Sequence, residues 1–544
     1  MNTHVLLLII AASFSWVPTS RAQVSFDRIL DADKEPENWL TYSGSILGQR
    51  YSLLNQITPA NVNDLQLQWI YQARSLQKFE ATALVVDGIM YSVQAPNDVV
   101  ALDAATGRIF WTYSYNPGRA HPCCGRVNRG LAILGDTLFM GTIDAHLVAI
   151  DAKNGRPLWN TVVARAKSGY AITHAPLVLK DKVIIGTAGG EYGIRGFIAA
   201  YDAHTGKEAW RFYTIPGPGQ PGHETWEGDS WQTGGGPVWM TGSYDPALNL
   251  TYWGVGNPSP DWNGDVRPGD NLYSDSVVAL DADTGKLKWY YQFTPHDDLD
   301  FDSVQVPVLA DIEWHGQRRK VILWANRNGF FYVLDRQTGQ FLLGKPFVEV
   351  TWASGFNQKG RPVRVPGQTS SAEGTRIYPG NPGATSWYSP SYSPRTGLFY
   401  IPAWANSSSV FVKVPVEYKE GREYAAGTAT SSIPFDWSPT PNFRKEDEGY
   451  GAIRALDPQT GERKWEFKMT DVTESGILTT ASDLLFSGGR EGYFYALDAR
   501  TGALLWKTSL GAAVISGPMT YSVGGKQYVA VNAGNCLFTF ALRQ

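Results

Sequence analysis

The chain has 544 residues, of which 43% are hydrophobic and 18% charged, and its formal net charge is −4. A nearly neutral chain without a long basic run argues against a nucleic-acid partner. Gly (56), Tyr (27) and Trp (20) are abundant, a composition typical of short strands joined by tight turns. Length alone would suggest several domains, but internal repetition overrides that expectation.

Residues 5–16 form an apolar run that is too short to cross a membrane as a helix, and the small-x-small pattern Ser20-Arg21-Ala22 follows it. The segment predicts a secretory signal peptide over residues 1–22, with a retained signal anchor as the alternative. Removal of this peptide leaves residues 23–544 with a net charge of −5. We therefore expect a periplasmic mature chain with no membrane span.

A short motif recurs along the mature chain. A small and an apolar residue precede Asp-x-x-[Thr/Asn]-Gly, and an apolar residue or Trp follows four positions later. Seven clear copies occupy 101–111, 149–159, 200–210, 279–289, 333–343, 455–465 and 496–506, and a degraded copy lies at 391–400. Each copy predicts a strand, a turn capped by Asp and opened by Gly, and a second strand whose Trp fills the gap between neighbouring sheets.

Most copies begin 41 to 54 residues apart, which is the period of a four-stranded propeller blade. With the degraded copy counted, the sequence predicts an all-β fold: a single domain over 23–544, formed by an eight-bladed β-propeller of four-stranded antiparallel blades. Gaps of 79 and 122 residues before 279 and 455 predict inserted loops, where function tends to lie. A solenoid is the alternative, but no capping repeats are recognisable.

The chain has three cysteines, Cys123, Cys124 and Cys536, and two of them are adjacent. Adjacent cysteines close a disulfide ring only with a strained peptide, and such strain is usually retained for a function. Two unpaired buried thiols are the alternative. The sequence has no C-x-x-C-H motif, so covalent haem is not expected. Three glycines at 234–236 allow close approach to a flat group, and Trp239 offers a stacking face.

Four oxygen-bearing residues lie outside the repeat: Glu191, Asn257, Asp300 and Asp302. They offer the hard ligands that a calcium-type cation prefers, and neither His nor thiolate accompanies them, which argues against zinc and copper. For each residue taken alone, an ordinary turn acid is the alternative. Arg327 precedes a predicted strand and could hold a carboxylate bidentately, or form an ordinary surface ion pair.

Four motifs together carry a family resemblance: CCG-x-VNRG at 123–130, GGG-x-x-W at 234–239, GNP at 256–258 and D-x-D at 300–302. In this combination the sequence resembles the pyrroloquinoline quinone (PQQ)-dependent alcohol dehydrogenases, the methanol and ethanol dehydrogenase family, over nearly the whole mature chain. The resemblance implies an eight-bladed propeller with PQQ on its axis. It also implies a Cys123–Cys124 disulfide on one face of the quinone and Trp239 on the other.

The same resemblance implies roles for individual residues. The positions that match hydrogen-bonding partners of PQQ, or the stretch that passes it, are Glu80, Arg129, Thr173, Gly189 and Gly190. Glu191 and Asn257 match metal ligands, Asp300 matches the catalytic base and also faces the metal, and Arg327 matches the residue between base and quinone. The sequence departs from the family pattern at Ala188, Pro237, Leu299 and Trp404.

Asp302 resembles the extra acidic ligand of the lanthanide-dependent branch of the family. A third carboxylate favours a trivalent ion over calcium by Coulomb's law. The implied reaction is oxidation of a primary alcohol to an aldehyde by hydride transfer to PQQ, with Asp300 taking the alcohol proton and a soluble cytochrome c accepting the electrons. Two alternatives stay open: a cofactor-free propeller scaffold of the cell envelope, and a calcium-dependent PQQ sugar or aldehyde dehydrogenase.

Overall fold

The computed structural model describes residues 24–433 and 449–543; the predicted signal peptide lies outside them. Helical structure is sparse: helix α1 (Phe26–Leu30) is capped by the Ser25 hydroxyl, and the other helical segments are single 3-10 turns. These turns are Ala32–Lys34, Val62–Asp64, Ala166–Ser168, Gly190–Tyr192, His223–Thr225, Ser230–Thr233 and Gly264–Val266. Within the described ranges, no helix is long and apolar enough to cross a membrane.

Most of the described chain is organised in four-stranded antiparallel sheets. Two strands precede the first sheet, β1 (Tyr51–Ser52) and β2 (Leu65–Gln72). Blade one is β3 (Leu84–Val86), β4 (Ile89–Gln94), β5 (Asp98–Asp103) and β6 (Ile109–Tyr113). Blade two is β7 (Ala132–Leu134), β8 (Thr137–Gly141), β9 (His146–Asp151) and β10 (Pro157–Val162). Blade three is β11 (Leu177–Leu179), β12 (Lys182–Gly186), β13 (Phe197–Asp202) and β14 (Glu208–Tyr213).

The next blades follow in chain order. Blade four is β15 (Ser243–Asp245), β16 (Leu250–Gly254), β17 (Ser276–Asp281) and β18 (Leu287–Gln292), and blade five is β19 (Val308–Trp314), β20 (Gln317–Ala325), β21 (Phe330–Asp335) and β22 (Phe341–Pro346). The following strands are β23 (Ala353–Phe356), β24 (Pro362–Arg364), β25 (Thr375–Ile377), β26 (Ser391–Ser393), β27 (Leu398–Ala405), β28 (Ser409–Lys413), β29 (Gly427–Ser431), β30 (Tyr450–Leu456) and β31 (Arg463–Lys468). Of these, β26, β27, β30 and β31 form blade six.

Blade seven is β32 (Leu478–Thr480), β33 (Leu484–Gly488), β34 (Tyr493–Asp498) and β35 (Leu504–Ser509), extended by β1, which pairs parallel to β32. The last strands are β36 (Met519–Val523), β37 (Lys526–Ala533) and β38 (Cys536–Leu542). Strand β2 pairs antiparallel with β38, so blade eight combines three C-terminal strands with an outer strand from the N-terminal part of the chain. This pairing closes the ring.

The described residues thus contain the eight predicted blades, but one blade arises differently from the prediction. The degraded repeat at 391–400 is the β26–β27 hairpin inside blade six, whereas every clear copy joins the third and fourth strands of its blade. The degraded copy therefore marks no blade of its own. The eighth blade combines strands from the two ends of the described chain. It has no copy of the motif because its third and fourth strands, β38 and β2, are far apart in sequence.

The repeat turn has the predicted geometry. In blade one, Asp103 Oδ1 accepts the amides of Ala105 and Thr106 at 3.0 and 3.1 Å, and Gly107 has φ +73°. The ring of Trp69 lies on Gly107, and its Nε1 donates to Ala104 O at 3.2 Å. The same indole-to-carbonyl bond joins Trp111 to Ala152, Trp159 to Ala203, Trp210 to Ala282 and Trp465 to Ala499. Each tryptophan therefore attaches its blade to the next.

Alternating strand direction sorts the connections onto two faces of the propeller. The connections between strands one and two and between strands three and four lie on one face, the turn face, which includes all seven repeat turns. The connections between strands two and three and the links between blades lie on the other face, the site face. The predicted insertions are present: a 214–242 link between blades three and four, and strands β23–β25 and β28–β29 around blade six.

Candidate active site

All of the predicted site residues lie in connections of the site face, whereas Trp404 lies in β27 and Cys536 in β38. Links between blades carry Glu80, Cys123, Cys124, Arg129, Thr173, Trp239, Asp300 and Asp302, and connections between second and third strands carry Gly189, Gly190, Glu191, Asn257 and Arg327. The closed ring directs these connections toward a common axis. Their side-chain contacts determine whether they form a single site.

Arg327 joins the two aspartates of the D-x-D motif. Its Nη1 donates to Asp302 Oδ2 at 2.7 Å and its Nη2 to Asp300 Oδ2 at 3.2 Å. The same Nη2 donates to the carbonyl oxygen of Asn381 at 2.6 Å. The Arg327 and Asp302 side chains are only 8% and 5% exposed, whereas Asp300 is 15% exposed. Of the two aspartates, Asp300 is therefore the more accessible to a substrate.

The loop between β18 and β19 fixes the direction of the Asp300 side chain. Asp297 Oδ1 accepts the amide of Leu299 at 3.1 Å, and its Oδ2 accepts the amide of Phe301 at 2.8 Å. Asp300, between these residues, has φ +57°, a left-handed conformation uncommon outside glycine. Asn381 Nδ2 donates to Asp300 Oδ2 at 2.8 Å. The remaining oxygen, Asp300 Oδ1, is buried and accepts no hydrogen bond from the described residues.

Asn257 connects this pair of aspartates to the segment around Glu191. Its backbone amide donates to Asp302 Oδ1 at 2.9 Å. A Cβ placed on Gly190 would lie 2.5 Å from Asn257 Oδ1, so glycine is required at 190 for this approach. Gly189, with φ +119°, begins the 3-10 turn that holds Glu191. Burial and the charge of Asp302 raise the pKa of Glu191, while a hydrogen bond with Cys123 opposes the rise.

The two adjacent cysteines lie beside Glu191. Their Sγ atoms are 2.6 Å apart with no bond between them in the structure, and Cys124 has φ +62°. The two sulfurs and a Glu191 oxygen all lie within 4.8 Å of one another. As thiols this group would suit a soft metal, and as a disulfide it would not. The predicted disulfide therefore stays a prediction that the geometry permits.

Arg129 lies at the end of the site that is predicted to bind carboxylate groups. Its Nη2 lies 2.9 Å from Glu80 Oε2, and its Nη1 donates to Thr173 Oγ1 at 3.1 Å. Its guanidinium lies 5.1 Å from the ring centroid of Trp239 and 4.7 Å from that of Trp387. Its Nε is buried and donates to no acceptor among the described residues. The arrangement leaves a donor for an anionic group near an aromatic face.

The central carboxylates repel one another in the absence of a cation. Burial raises the pKa of Asp300 well above its usual value; Arg327 opposes this rise, and the charges of Asp302 and Glu191 add to it. Burial likewise raises the pKa of Asp302, and Arg327 again opposes the rise. Arg327 contacts two of the three carboxylates, Asp300 and Asp302, and its single positive charge cannot balance all three when they are ionised.

The donor chemistry of the site fits a hard cation. Asn257 Oδ1 and Asp300 Oδ1 are both buried and without a hydrogen-bond partner among the described residues. An unpaired buried oxygen is costly, and a cation that binds both oxygens removes that cost. Carboxylate and amide oxygens are the ligands that calcium-type ions prefer. The donor set therefore fits such an ion, and Trp239 lies close enough to Asp302 to lower the pKa of that carboxyl.

Comparison with known proteins agrees with this geometry. Residues 39–354 match the family model described as "Glucose/ethanol/alcohol dehydrogenase, beta-propeller domain". Quinohemoprotein alcohol dehydrogenase ADH IIB of Pseudomonas putida is 39% identical, over 98% of this chain and 78% of its own length. The lanthanide-dependent methanol dehydrogenase of Methylacidiphilum fumariolicum is 37% identical, over 96% of this chain and 89% of its own. The chain belongs to the PQQ-dependent alcohol dehydrogenase family.

Solved structures of this family have the same fold. A europium-containing methanol dehydrogenase superposes with a TM-score of 0.88 at 35% identity, covering 95% of this chain and all of its own. Quinohemoprotein alcohol dehydrogenase from Comamonas testosteroni also gives 0.88, at 36% identity, covering 95% of this chain and 82% of its own. A second model, "Outer membrane protein assembly factor BamB", matches only residues 449–541. The family predicted from the motifs is confirmed.

The site of this chain also contains residues that were not predicted from the sequence. Asp297 and Asn381 position Asp300, and Asp261 accepts the side chain of Asn257. Asp275 is fully buried, and its carboxylate accepts no hydrogen bond from the described residues. Two of these residues had an available signal: Asp261 lies in the same GNPSPDW segment as Asn257, and Asn381 lies in a second Gly-Asn-Pro sequence at 380–382.

Proposed function

We propose that the chain is a periplasmic quinoprotein alcohol dehydrogenase that oxidises primary alcohols to aldehydes with PQQ and one lanthanide ion. The observation that carries this proposal is the group formed by Asp300, Arg327 and Asp302. Arg327 holds both carboxylates, and the free oxygen of Asp300 lies in a buried site with an unpaired oxygen of Asn257. Such a pair of oxygens suits a bound cation beside a base.

Glu191, Asn257, Asp300 and Asp302 would hold the ion. Three of these ligands are carboxylates, and the attraction between a cation and a carboxylate grows in proportion to the charge of the cation. A lanthanide therefore gains more than calcium from the third carboxylate, Asp302. One similar protein is described as a lanthanide-dependent methanol dehydrogenase and one similar structure as europium-containing, which supports this choice. Calcium is the alternative ion.

The chain offers a flat site for PQQ next to this ion. Trp239 would stack on one face of the quinone, and Cys123 and Cys124, joined as a disulfide, would lie on the other. Arg129, with Glu80 and Thr173, would bind its carboxylates and carbonyls, while Gly189 and Gly190 let the backbone pass close by. When bound, PQQ supplies the hydride acceptor that the protein side chains lack.

Asp300 is the proposed general base. Arg327 and Asn381 both donate to its Oδ2, which leaves Oδ1; a carboxylate oxygen has two lone pairs, so Oδ1 would face the ion with one and take the hydroxyl proton of the alcohol with the other. Burial raises the pKa of Asp300 in the ion-free protein, and the neighbouring cation would lower it and keep the carboxylate ionised, as a general base must be. Arg327 keeps the carboxylate oriented and balances its charge. Leu299, next to it in sequence, is fully buried in the hydrophobic core.

The electrons are proposed to pass to a soluble cytochrome c. The sequence contains no C-x-x-C-H haem attachment motif, so the acceptor would be a separate protein. Export through a signal peptide over residues 1–22 would bring the chain to the periplasm, where a Cys123–Cys124 disulfide can persist. Peptide mass mapping of the mature protein without reduction would test both points, because it reports the N-terminus and the loss of two thiol hydrogens.

Reconstitution tests the enzymatic proposal. The full-length chain, purified without added metal, would be loaded with PQQ plus lanthanum, cerium or calcium and assayed on short alcohols with an artificial dye acceptor. We expect turnover of primary alcohols with a lanthanide and much less with calcium. Full activity with calcium that lanthanides do not change would overturn the choice of ion. No PQQ binding and no alcohol oxidation with any ion would overturn the proposed function and favour the scaffold.

A further inference from the structure

Asp261 lies outside the four proposed ligands but is attached to one of them. Its side chain is buried, with 2% of the residue exposed, and its Oδ1 accepts Asn257 Nδ2 at 2.8 Å. It also lies close enough to Asp300, Glu191 and Asp302 for their charges to act on its carboxyl. Asp261 is therefore part of the same buried group, although sequence reasoning assigned it nothing.

The hydrogen bond to Asp261 fixes which end of the Asn257 amide faces the site. Asn257 Nδ2 donates to Asp261 Oδ1, so the NH₂ group of the amide faces Asp261 and Oδ1 lies on the opposite side. An ionised carboxylate can only accept hydrogen bonds, so it enforces this orientation. Asn257 Oδ1 is buried, has no partner among the described residues, and lies where a Cβ on Gly190 would be 2.5 Å away.

Without this restraint, the surroundings would favour the opposite orientation. Asp302 contacts the backbone amide of Asn257, and Asp300 lies beyond it on Arg327. Both carboxylates attract an NH₂ donor. A flipped amide would be attracted by these negative charges and would present a donor to an arriving cation. The hydrogen bond to Asp261 opposes this flip.

We infer that Asp261 is a positioning residue of the ion site, which holds Asn257 with its oxygen directed at the cation. The inference rests on the proposed function, since it requires an ion between Glu191, Asn257 and Asp300. Groups behind first ligands commonly orient them, and their loss costs about 10- to 100-fold in metal affinity. The inference adds a residue that acts through Asn257 and does not itself bind the ion.

A nearly isosteric variant separates orientation from packing. In Asp261→Asn, the new side chain can either accept from Asn257 or donate to it, so the orientation of Asn257 is no longer enforced. The double variant Asn257→Asp/Asp261→Asn exchanges the two side chains. It keeps the total charge and the hydrogen bond, and position 257 then presents an oxygen in either orientation. This exchange is the matched control.

The full-length chain would be loaded with PQQ and Eu³⁺, and the luminescence lifetime measured in H₂O and D₂O, which reports the number of waters on the ion. We expect Asp261→Asn to gain about one bound water, replacing the Asn257 oxygen, and to lose about 10- to 100-fold in Eu³⁺ affinity. The exchanged double variant should return to the wild-type water count and recover most of the affinity.

Each other outcome has a definite meaning. An unchanged water count in Asp261→Asn would overturn the inference, even if affinity fell, because loss of charge alone weakens binding without removing a ligand. A double variant that keeps the extra water would also overturn it. If the wild-type chain bound no Eu³⁺, the proposed ion site itself would fail, and that failure is distinct from a failure of the role of Asp261.

Discussion

On the turn face, Asp202 accepts three hydrogen bonds from within its own turn, from the amides of His204 and Thr205 and from the Thr205 hydroxyl. On the site face, Asp300 receives its partners from Arg327 and Asn381, which are far away in sequence, and one of its oxygens has none. The aspartate of the turn face therefore has its hydrogen bonds supplied by its own turn, whereas the aspartate of the site face has one oxygen without a partner among the described residues.

The pKa values of the two aspartates shift in opposite directions. The hydrogen bond from the Thr205 hydroxyl and that from its amide lower the pKa of Asp202. Burial raises the pKa of Asp300, with further contributions from neighbouring acids. A carboxylate satisfied by its own turn stabilises the fold and needs nothing else. A carboxylate buried among others requires a cation or a proton, and this requirement is what separates the site from the scaffold.

Removal of Asp300 should have the largest effect on activity. We expect Asp300→Ala, assayed with PQQ and saturating lanthanum, to lose about 10³-fold or more in turnover, because the alcohol proton has no acceptor. The thermal midpoint should stay near that of the wild type, since the variant removes one of several repelling buried charges. Wild-type turnover in this variant would exclude Asp300 as the base.

A blade tryptophan should show the reverse pattern. Trp159 Nε1 donates to Ala203 O at 3.2 Å, and its ring covers Gly206 in the next blade. We expect Trp159→Ala to lower the free energy of unfolding by about 3 kcal/mol, measured by urea titration of the ion-free protein. Eu³⁺ affinity of the folded protein should not change. A variant with normal stability would show that the indole contact does not hold adjacent blades together.

The fold was predictable because the repeat encodes its own turn. The Asp and Gly of a copy, such as Asp103 and Gly107, act within one turn, and the Trp that ends six of the seven clear copies acts between neighbouring blades, so a pattern of eleven residues carries the information. The degraded copy at 391–400 led to a wrong blade assignment for the same reason. Its turn contains Pro and Gly and resembles the repeat motif, although it joins the first two strands of a blade. The closing strand β2 had no local signal and is defined only by its pairing with β38.

The site was predictable only as far as its motifs extended. Glu191, Asn257, Asp300 and Arg327 each lie in a segment with family resemblance, and the structure brings them together. Asn381 lies in the 122-residue gap, 81 positions from the Asp300 that it holds; it stands in a second Gly-Asn-Pro sequence at 380–382, but that sequence does not indicate which residue it contacts. Long-range positioning residues of this kind emerge only when the chain is folded.

The pH dependence of ion binding gives a smaller effect that is specific to the site face. Burial raises the pKa values of Asp300 and Asp302, so the folded ion-free protein holds their protons more tightly than the unfolded chain. Their contribution to stability is present below the unfolded values and is lost as the pH rises through the raised ones. A cation must displace these protons, so its affinity should rise about tenfold per pH unit for each proton released.

Thermal unfolding with and without lanthanum, measured in steps from acid to neutral pH, quantifies this linkage. We expect the stabilisation by lanthanum to increase with pH across this range, and the ion-free protein to lose stability at these groups over the same interval. Asp300→Asn should weaken the pH dependence, because it removes one titrating ligand. A lanthanum effect that is the same at every pH would mean that the ion displaces no protons from the site.

The smallest effect is expected on the turn face. In Asp202→Asn the amide oxygen can accept the same three hydrogen bonds, so the free energy of unfolding at neutral pH should fall by no more than about 1 kcal/mol. Because the pKa of Asp202 is lowered, the contribution of its charge should disappear as the pH falls through that lowered value. Wild type and variant should therefore converge in urea titrations at acid pH. Turnover and Eu³⁺ affinity should be unchanged; a loss of turnover as large as that of Asp300→Ala would show that the two faces are not functionally separate.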